Sequence, residues 1–412
     1  MVALIFLGEM KMKKVALLSL VASSILMAGG YKIPETSTNA VALGAANVAH
    51  NQNNADAAYY NPAKMVFMSD ENHIEADITY IGLDKVKWKP VAGNEIQSES
   101  EDFVIPTLHY VSGALGDNGA RVGVSIVAPG GLSKRWKDAP AVYKAEEFTL
   151  TTIEVNPTAA FKINDKLGLA VGFRVIYSEG IVKSTSPIGS RYMEGDSIDY
   201  GYNLALAYNP TSDIELGLTY RSKINLTEEG NAKLYSDAGS TKFYDGWSTV
   251  SIPLPAALDI AIAYTLPTNT TLEIVYEKTY WSAYKDLNFD YTVPMPAAFD
   301  ASIPKDWKDT NTFRFGLTQE LDDLTLMAGL VIDESPVPNK TIGFELPDTD
   351  STAVSLGGRY KINESIDVGL SALYSMHENR TISASDANDN GLVGGFSDGN
   401  ILIISAGLGY KF

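Results

Sequence analysis

Four histidines are the side chains best suited to acid–base catalysis or metal binding: His50, His73, His109 and His377. None lies in a Gly-x-Ser-x-Gly setting or at a metal-ligand spacing. The chain has no cysteine, which excludes a thiol nucleophile, a thiolate metal site and a disulfide scaffold. We therefore expect no enzyme, no metal and no cofactor. A Ser–His pair formed only in the folded chain is the open alternative.

A second candidate for chemistry is the run Asp386-Ala387-Asn388-Asp389-Asn390-Gly391, which matches the start of a calcium-binding loop. The twelfth position of such a loop supplies a bidentate glutamate, and here it is Ser397. The run is therefore interpreted as an ordinary polar loop.

The elements that must position these residues begin after an export signal. Three lysines before residue 15 precede an apolar run over residues 15–27, and the small residues Ala28, Gly29 and Gly30 follow. This pattern predicts a secretory signal peptide with an upstream extension over residues 1–30. The run is too short to span a bilayer as a helix. The net charge of −18 argues against nucleic acid as a partner.

Past the signal, apolar residues alternate with small or polar ones. Leu402, Ile404, Ala406, Leu408, Tyr410 and Phe412 alternate with Ile403, Ser405, Gly407, Gly409 and Lys411. A strand with lipid on one side and a lumen on the other requires this pattern. Similar rows recur back to residue 167, and each is about long enough to cross a bilayer.

Short turns alternate with long polar stretches along the chain. The long stretches lie near residues 87–102, 131–147, 180–197, 228–246, 288–308, 333–351 and 380–398. This alternation is typical of outer-membrane barrels, and it gives fourteen strands over residues 71–412. Tyrosines recur beside the short turns, where a membrane-interface girdle would lie: Tyr208, Tyr264, Tyr360 and Tyr410. The predicted fold is all-β, a fourteen-stranded antiparallel transmembrane barrel in the bacterial outer membrane. A large secreted all-β protein is the alternative.

Residues 31–70 break the strand pattern and are rich in Ala, Asn and Tyr. A barrel of about fourteen strands has a lumen that its own side chains cannot fill. We therefore predict that this segment folds into the lumen as a hatch. The alternative is a flexible periplasmic tail.

Several runs, in this order and spacing, resemble the FadL-type family of outer-membrane transporters for long-chain fatty acids and aromatic hydrocarbons. They include Asn61-Pro62-Ala63, Ala128-Pro129-Gly130-Gly131-Leu132-Ser133, Val155-Asn156-Pro157, Tyr220-Arg221-Ser222-Lys223 and Ser335-Pro336-Val337-Pro338. The resemblance covers essentially the whole chain after the signal. It implies a fourteen-stranded barrel whose N-terminal hatch contains Asn61, Pro62 and Ala63. It also implies a ligand route that leaves sideways through a kinked third strand.

That resemblance makes Pro129, Gly130 and Gly131 candidates for a lateral opening, since Pro lacks a ladder donor and Gly tolerates bends. A simple strand end is an equal alternative. In one respect the chain departs from the family, whose members often carry a basic residue after the tyrosine that ends the fifth strand. Here Tyr177 is followed by Ser178 and Glu179.

Three arginines are predicted to face inward and could replace that basic residue as partners of a ligand carboxylate: Arg174, Arg314 and Arg359. The alternative is ordinary ion pairing inside the lumen. Four apolar residues are also predicted to face inward and are candidates for a ligand pocket: Ile176, Val275, Leu373 and Ile401.

We therefore expect a monomeric passive transporter of hydrophobic compounds, surrounded by outer-membrane lipid and lipopolysaccharide. Two alternatives remain: a plugged surface barrel that acts as an adhesin or structural protein, and a general porin. A porin would need a polar lumen, and the four apolar candidates argue against it.

Overall fold

The computed structural model describes residues 29–51, 53–116, 118–236 and 241–412. The predicted signal peptide therefore lies outside the described residues, except for Gly29 and Gly30. Within the described ranges, we find no helix with the length and apolar character needed to cross a membrane.

Fourteen antiparallel strands close into a barrel, as the sequence predicted. Every strand pairs with its neighbours in the chain, and β1 pairs with β14 from His73 opposite Lys411 to Leu83 opposite Ile401. Three strands are interrupted and are given as two segments each. The bounds are β1 His73–Leu83, β2 Glu101–Val111, β3 Arg121–Val127 and Gly131–Arg135, β4 Glu147–Asn164, β5 Leu167–Ser186, β6 Gly189–Tyr208, β7 Ile214–Arg221 and Ile224–Ser236, β8 Thr241–Leu254 and Ala257–Thr265, β9 Thr270–Thr279, β10 Thr310–Glu320, β11 Leu324–Asp333, β12 Ser351–Lys361, β13 Ile366–His377 and β14 Ile401–Lys411.

The two faces of the wall differ as the alternation predicts. On β14, Leu402 and Ile404 are 40% exposed on the outer face, whereas Ile403 and Ser405 are buried on the inner face. The four tyrosines beside the short turns are all exposed on the outside. Apolar side chains on the outer face would be unfavourable in water, and lipid removes that cost.

The prediction is wrong for two of the long loops, which are instead extensions of the barrel strands. Residues 180–197 form a hairpin in which β5 runs to Ser186 and β6 starts at Gly189, and residues 228–236 and 241–246 extend β7 and β8. The outer face of the extended β7 is polar, because Asn225, Thr227 and Glu229 point outward there. The ladder hydrogen bonds continue beyond the membrane, while the apolar alternation that reveals a strand in the sequence stops at its edge.

The other extracellular segments form short elements above the barrel. They are the strands Val86–Pro90, Ile96–Gln97, Asp286–Leu287, Phe289–Tyr291, Ile303–Pro304, Arg380–Ile382 and Gly394–Asp398, the helices Val142–Ala145 and Ala297–Asp300, and the 3-10 turns Trp281–Ala283 and Ala384–Asp386. Residues from these segments and from the strand extensions form the largest apolar cluster of the described chain.

The N-terminal segment fills the lumen, as the hatch prediction requires. It contains α1 (Thr38–Leu43), α2 (Ala57–Tyr60) and the 3-10 helix Pro62–Phe67, and every residue of both α-helices is buried. Ser37 caps α1 by accepting a hydrogen bond from the Ala40 amide, and Gly44 ends it in the left-handed region at φ 58°.

Barrel side chains hold both ends of α1. At its start, the Asp77 carboxylate accepts a hydrogen bond of 2.9 Å from the Thr38 amide. At its end, the Arg314 guanidinium donates 2.9 Å to the Gly44 carbonyl. An anion at a helix N-terminus and a cation at its C-terminus also match the partial charges of the helix ends. The hatch is thus fixed by hydrogen bonds and not by burial alone.

Candidate functional site

Two small apolar chambers lie among the extensions of the strands and the extracellular segments. We name chamber one by its lining residues Phe148, Thr149, Gly180, Val182, Met193, Glu194, Gly195, Glu228, Gly230, Ser248, Val250, Ile252 and Phe289. Chamber two is lined by Tyr31, Leu132, Phe148, Ile252, Tyr284, Lys305, Trp307, Val337, Thr341, Gly343, Glu345 and Leu346.

The chambers are neighbours, since Phe148 and Ile252 line both of them. Each leaves free space of about 20 Å³, which is room for roughly one water molecule. A ligand with a hydrocarbon chain therefore enters only if side chains move. The walls can supply such movement where they are made of flexible residues such as Met193.

Aromatic rings surround Tyr31, which is a lining residue of chamber two. The ring centroid of Tyr31 lies 4.7 Å from that of Trp281 and 5.7 Å from that of Trp307, and the Tyr31 hydroxyl donates a hydrogen bond of 2.5 Å to the Pro253 carbonyl. Because Tyr31 belongs to the N-terminal segment, the start of the hatch is also a wall of the chamber.

One lysine reaches chamber two. Lys305 is 3% exposed, and its Nζ forms an ion pair with Glu345, a second lining residue. Neither residue could be recognised from the sequence, because residues 288–308 and 333–351 show no periodic pattern that indicates the direction of a side chain. The pair leaves the chamber without a free cation at this position.

The third strand is interrupted where Pro129 and Gly130 were proposed to interrupt it. Its first segment ends at Val127 and its second starts at Gly131. β2 pairs with the first segment of β3 from Leu108 to Val111, and beyond the break the Glu99 amide, just before β2, donates 2.9 Å to the Arg135 carbonyl.

The N-terminal segment covers the inner side of this break. The Ile33 amide donates 3.0 Å to the Pro129 carbonyl, the Gly131 amide donates 2.8 Å to the Tyr31 carbonyl, and Lys32 bridges with Gly130. A side chain at Gly130 would place its Cβ 2.8 Å from the Tyr31 carbonyl oxygen. The close approach of the two backbones therefore explains why glycine stands here.

The three candidate arginines already bind protein carboxylates. Arg174 donates to Glu154 from both Nε and Nη2, at 2.9–3.2 Å, and Nη1 donates 2.7 Å to the Ser222 carbonyl. Arg359 donates 2.7 Å from each of Nη1 and Nη2 to the two oxygens of Glu75.

Arg314 is 3.6 Å from Glu277 and 3.9 Å from Glu35. Near it, burial raises the pKa of the hatch residue Glu35 to about 7, although the charge of Arg314 lowers it. The geometry favours the alternative of lumen ion pairs, and the role of the three arginines in binding a ligand carboxylate stays a prediction.

The four apolar pocket candidates face inward and are fully buried, but they lie apart. Ile176 belongs to the extracellular cluster, Val275 packs in the cluster with α1, and Leu373 and Ile401 share a cluster near Ile33. None of the four lines chamber one or chamber two. Their place in the ligand route also stays a prediction.

Asn61, Pro62 and Ala63 connect the hatch with the barrel wall. The Asn61 Nδ2 donates 2.9 Å to the Val48 carbonyl and 3.1 Å to the Leu206 carbonyl of β6. Its Oδ1 accepts a hydrogen bond from the Ala63 amide, and Pro62 fills the first turn of the 3-10 helix.

A Ser–His pair does form in three dimensions. Nδ1 of His109 is 2.9 Å from Oγ of Ser125, and its Nε2 is 3.1 Å from the Thr36 carbonyl. Both side chains are fully buried and line neither chamber. We interpret the pair as a connection between β2, β3 and the hatch, since a nucleophile needs access to substrate.

The family model described as outer membrane protein transport protein (OMPP1/FadL/TodX) matches residues 19–412. A long-chain fatty acid transport protein of Escherichia coli O6:H1 is 23% identical over 366 residues, which cover 76% of this chain and 80% of that protein. Outer membrane protein P1 of Haemophilus influenzae is 22% identical over 418 residues, with coverage of 86% and 89%.

Solved structures show the same fold. A Pseudomonas aeruginosa FadL homologue superimposes with a TM-score of 0.80 at 20% identity, covering 93% of this chain and 100% of that one. The Pseudomonas putida toluene transporter TodX gives a TM-score of 0.72 at 16% identity, with coverage of 93% and 99%. At these identities the structural likeness concerns the fold.

Proposed function

Because the chain belongs to the outer membrane protein transport protein family and is an outer-membrane β-barrel, we propose that it carries hydrophobic small molecules passively across the outer membrane. The observation that supports this most directly is the pair of adjoining apolar chambers above a lumen filled by the hatch. An apolar ligand gains roughly 0.8 kcal/mol for each methylene group that it buries there.

The two alternatives fit the structure less well. A general porin needs a continuous water-filled lumen, whereas the described hatch residues from Thr36 to Ala49 are all buried inside the barrel. An adhesin needs no internal apolar chamber, so the chambers would have no role in it.

The ion pairs of the lumen and of chamber two bear on which class of hydrophobic molecule is carried. Long-chain fatty acids are named for the Escherichia coli relative and toluene for the Pseudomonas putida structure. In this chain Lys305, Arg174 and Arg359 are each in close ion pairs with carboxylates. A fatty acid carboxylate would have to displace a protein carboxylate, so the geometry supports an uncharged hydrophobic ligand better.

We further propose that the ligand leaves sideways at the break in β3. On the inside, residues 31–33 of the hatch cover the break through two backbone hydrogen bonds, and the Thr152 hydroxyl of β4 also bonds to Gly130. Sideways exit into the membrane keeps a hydrocarbon in apolar surroundings along its whole path.

A two-residue deletion tests both the transport and the exit. Removing Pro129 and Gly130 lets β3 run on while the inward and outward alternation is kept. In cells whose own transporters are deleted, the intact chain should support uptake of labelled dodecane, and the deletion variant should not. Both proteins should bind dodecane equally in lipid nanodiscs.

The matched control removes Ala92 and Gly93, two neighbouring residues of an exposed loop, and should transport normally. Uptake that survives the loss of Pro129 and Gly130 would exclude the lateral route. The absence of both binding and uptake by the intact chain would contradict the proposed function.

A further inference from the structure

Glu228 is a buried carboxylate without a hydrogen-bond donor, and it faces an apolar chamber. It lies on the second segment of β7, lines chamber one and is 2% exposed. Within the part of the chain that the structure describes, neither Oε1 nor Oε2 has a hydrogen-bond partner. Buried carboxylates are normally paired, because an unpaired buried charge costs several kcal/mol.

The nearest hydroxyl is already used elsewhere. Ser178 Oγ and Ser197 Oγ are 2.8 Å apart, and Ser197 donates its own proton to Asp199 at 2.6 Å. In this arrangement Ser178 donates to Ser197 and not to Glu228, although its hydroxyl lies near enough to Glu228 to lower the pKa of that carboxyl. The orphaned carboxylate is thus a consequence of the local network.

The three charges that act most strongly on Glu228 are negative. Asp199 faces inward beside it, and Asp196 and Glu179 lie on the neighbouring strands β6 and β5. The outer face of this part of β7 is polar, so Glu228 lies beyond the membrane-spanning band. Burial, together with these three carboxylates, raises the pKa of Glu228 to about 8.

The nearby lysines do not compensate for this charge. Lys183 pairs with Glu147, and both Lys183 and Lys233 lie over the ring of Tyr192. Glu194, the other acidic lining residue, accepts a hydrogen bond of 2.6 Å from the Tyr192 hydroxyl. Chamber one therefore has apolar walls, a negative electrostatic potential, and in Glu228 a hydrogen-bond acceptor that has no donor.

We propose that chamber one binds hydrophobic amines, with the ligand's ammonium group on Glu228 and its hydrocarbon tail against Phe148, Met193, Val250 and Phe289. An ammonium group supplies the missing donors and neutralises the local charge. A fatty acid carboxylate would be repelled by the same field. This inference rests on the proposed function and narrows the substrate class of that site.

The test measures binding of four labelled C12 compounds to the complete barrel in lipid nanodiscs at pH 7, corrected against empty nanodiscs. The compounds are dodecylamine, dodecanol, dodecanoate and dodecane. The intact chain should bind dodecylamine more tightly than dodecanoate. Glu228→Gln should weaken dodecylamine binding about tenfold or more, since it removes a charged hydrogen bond, and should leave dodecane binding unchanged.

The matched control is Glu229→Gln, which removes the neighbouring carboxylate on the outward face of the same strand and should bind all four compounds as the intact chain does. A proton should be released when dodecylamine binds the intact chain at pH 7, because an ammonium partner favours the ionised form of Glu228. The Gln variant should release none.

Unchanged dodecylamine affinity in Glu228→Gln would overturn the inference. Loss of dodecanol binding in Glu228→Leu without any effect of Glu228→Gln on dodecylamine would also overturn it and assign a hydroxyl ligand instead. In both cases dodecane would still bind, so the proposed function would stand. If none of the four compounds binds the intact chain above empty nanodiscs, the proposed function itself fails.

Discussion

The guanidinium of Arg359 on β12 binds the carboxylate of Glu75 on β1 through two hydrogen bonds of 2.7 Å each, and β13 and β14 lie between these two strands. Glu75 is 1% exposed and Arg359 is 8% exposed. A third donor of Arg359 reaches Asn39 Oδ1 in α1 at 3.0 Å. The pair therefore joins the hatch to two parts of the wall.

Arg359→Met should leave Glu75 buried without its partner. Breaking a buried pair in this way costs about 3–5 kcal/mol. We expect a lower midpoint in urea unfolding in detergent and a larger ion conductance in planar bilayers, because the hatch loses an anchor. Lys361→Met removes the exposed pair of the same strand with Glu364 and should change neither quantity. Equal midpoints for both variants would show that the pair does not hold the hatch.

The Glu273 carboxylate on β9 accepts three consecutive backbone amides of the hatch. The distances are 2.8 Å from Val48, 2.7 Å from Ala49 and 3.0 Å from His50. Glu273→Leu should leave these three amides without an acceptor, and each unsatisfied amide costs about 1–3 kcal/mol of stability. The hatch should then be cleaved faster by protease added from the periplasmic side, while the barrel strands remain intact.

Glu320→Gln is the control for this experiment, since Glu320 is exposed at the end of β10. It should be cleaved at the rate of the intact chain. A Glu273→Leu protein with the same cleavage rate would mean that packing alone retains this part of the hatch.

The stability of the extracellular loop before β12 should depend on pH because of Asp348. Burial raises its pKa to about 8, although Ser335 Oγ donates a hydrogen bond of 2.7 Å to it. An aspartate in an unfolded loop titrates near 3.9. Between about pH 4 and pH 8 the folded loop therefore binds more protons than the unfolded one, and its stability falls as pH rises, by at most about 1.4 kcal/mol per pH unit.

Asp348→Asn should remove this dependence. The ratio of the cleavage rate of the loop in the intact chain to that in the variant, measured with one protease at each pH, should rise from pH 5.5 to pH 8. Asp290→Asn, at an exposed loop position, should give a constant ratio. A constant ratio for Asp348→Asn as well would show that the carboxyl keeps its ordinary pKa in the folded loop.

Lys305 should bind a ligand carboxylate only when Glu345 is neutralised. Glu345→Gln frees the Nζ of Lys305 at the wall of chamber two, so dodecanoate affinity should rise about tenfold while dodecane affinity stays constant. Glu364→Gln, which frees the exposed Lys361 instead, is the control. A triple substitution of Arg174, Arg314 and Arg359 by Gln that lowers dodecanoate affinity would instead assign the carboxylate to the arginines.

Much of the barrel could be predicted from the sequence, because lipid imposes a strict period on every membrane-facing strand. The row Leu402, Ile404, Leu408 and Tyr410 is exposed as the alternation requires. Beyond the membrane that constraint ends. The outward residues Asn225, Thr227 and Glu229 are polar, so the extended β7 resembled a loop.

The chambers could not be predicted in the same way. Their walls combine Tyr31 of the hatch, Phe148 of β4, Ile252 of β8 and Trp307 of a loop, which are far apart in the chain. No local sequence pattern indicates that these residues lie side by side in the folded chain. Glu228 gave no signal either, since a Glu within a polar stretch such as Thr227-Glu228-Glu229-Gly230 is indistinguishable from a solvated surface residue.

The attachment of α1 to the wall has a consequence for how the protein assembles. Thr38 is bound by β1, the first strand of the barrel in chain order, and Gly44 is bound by β10, nine strands later. Both attachments can exist together only after the barrel has closed and brought these two strands to their final separation. The attachment of the hatch therefore depends on closure of the barrel, because only a correctly closed barrel provides both attachment points. A chain with one strand out of register would leave the lumen open.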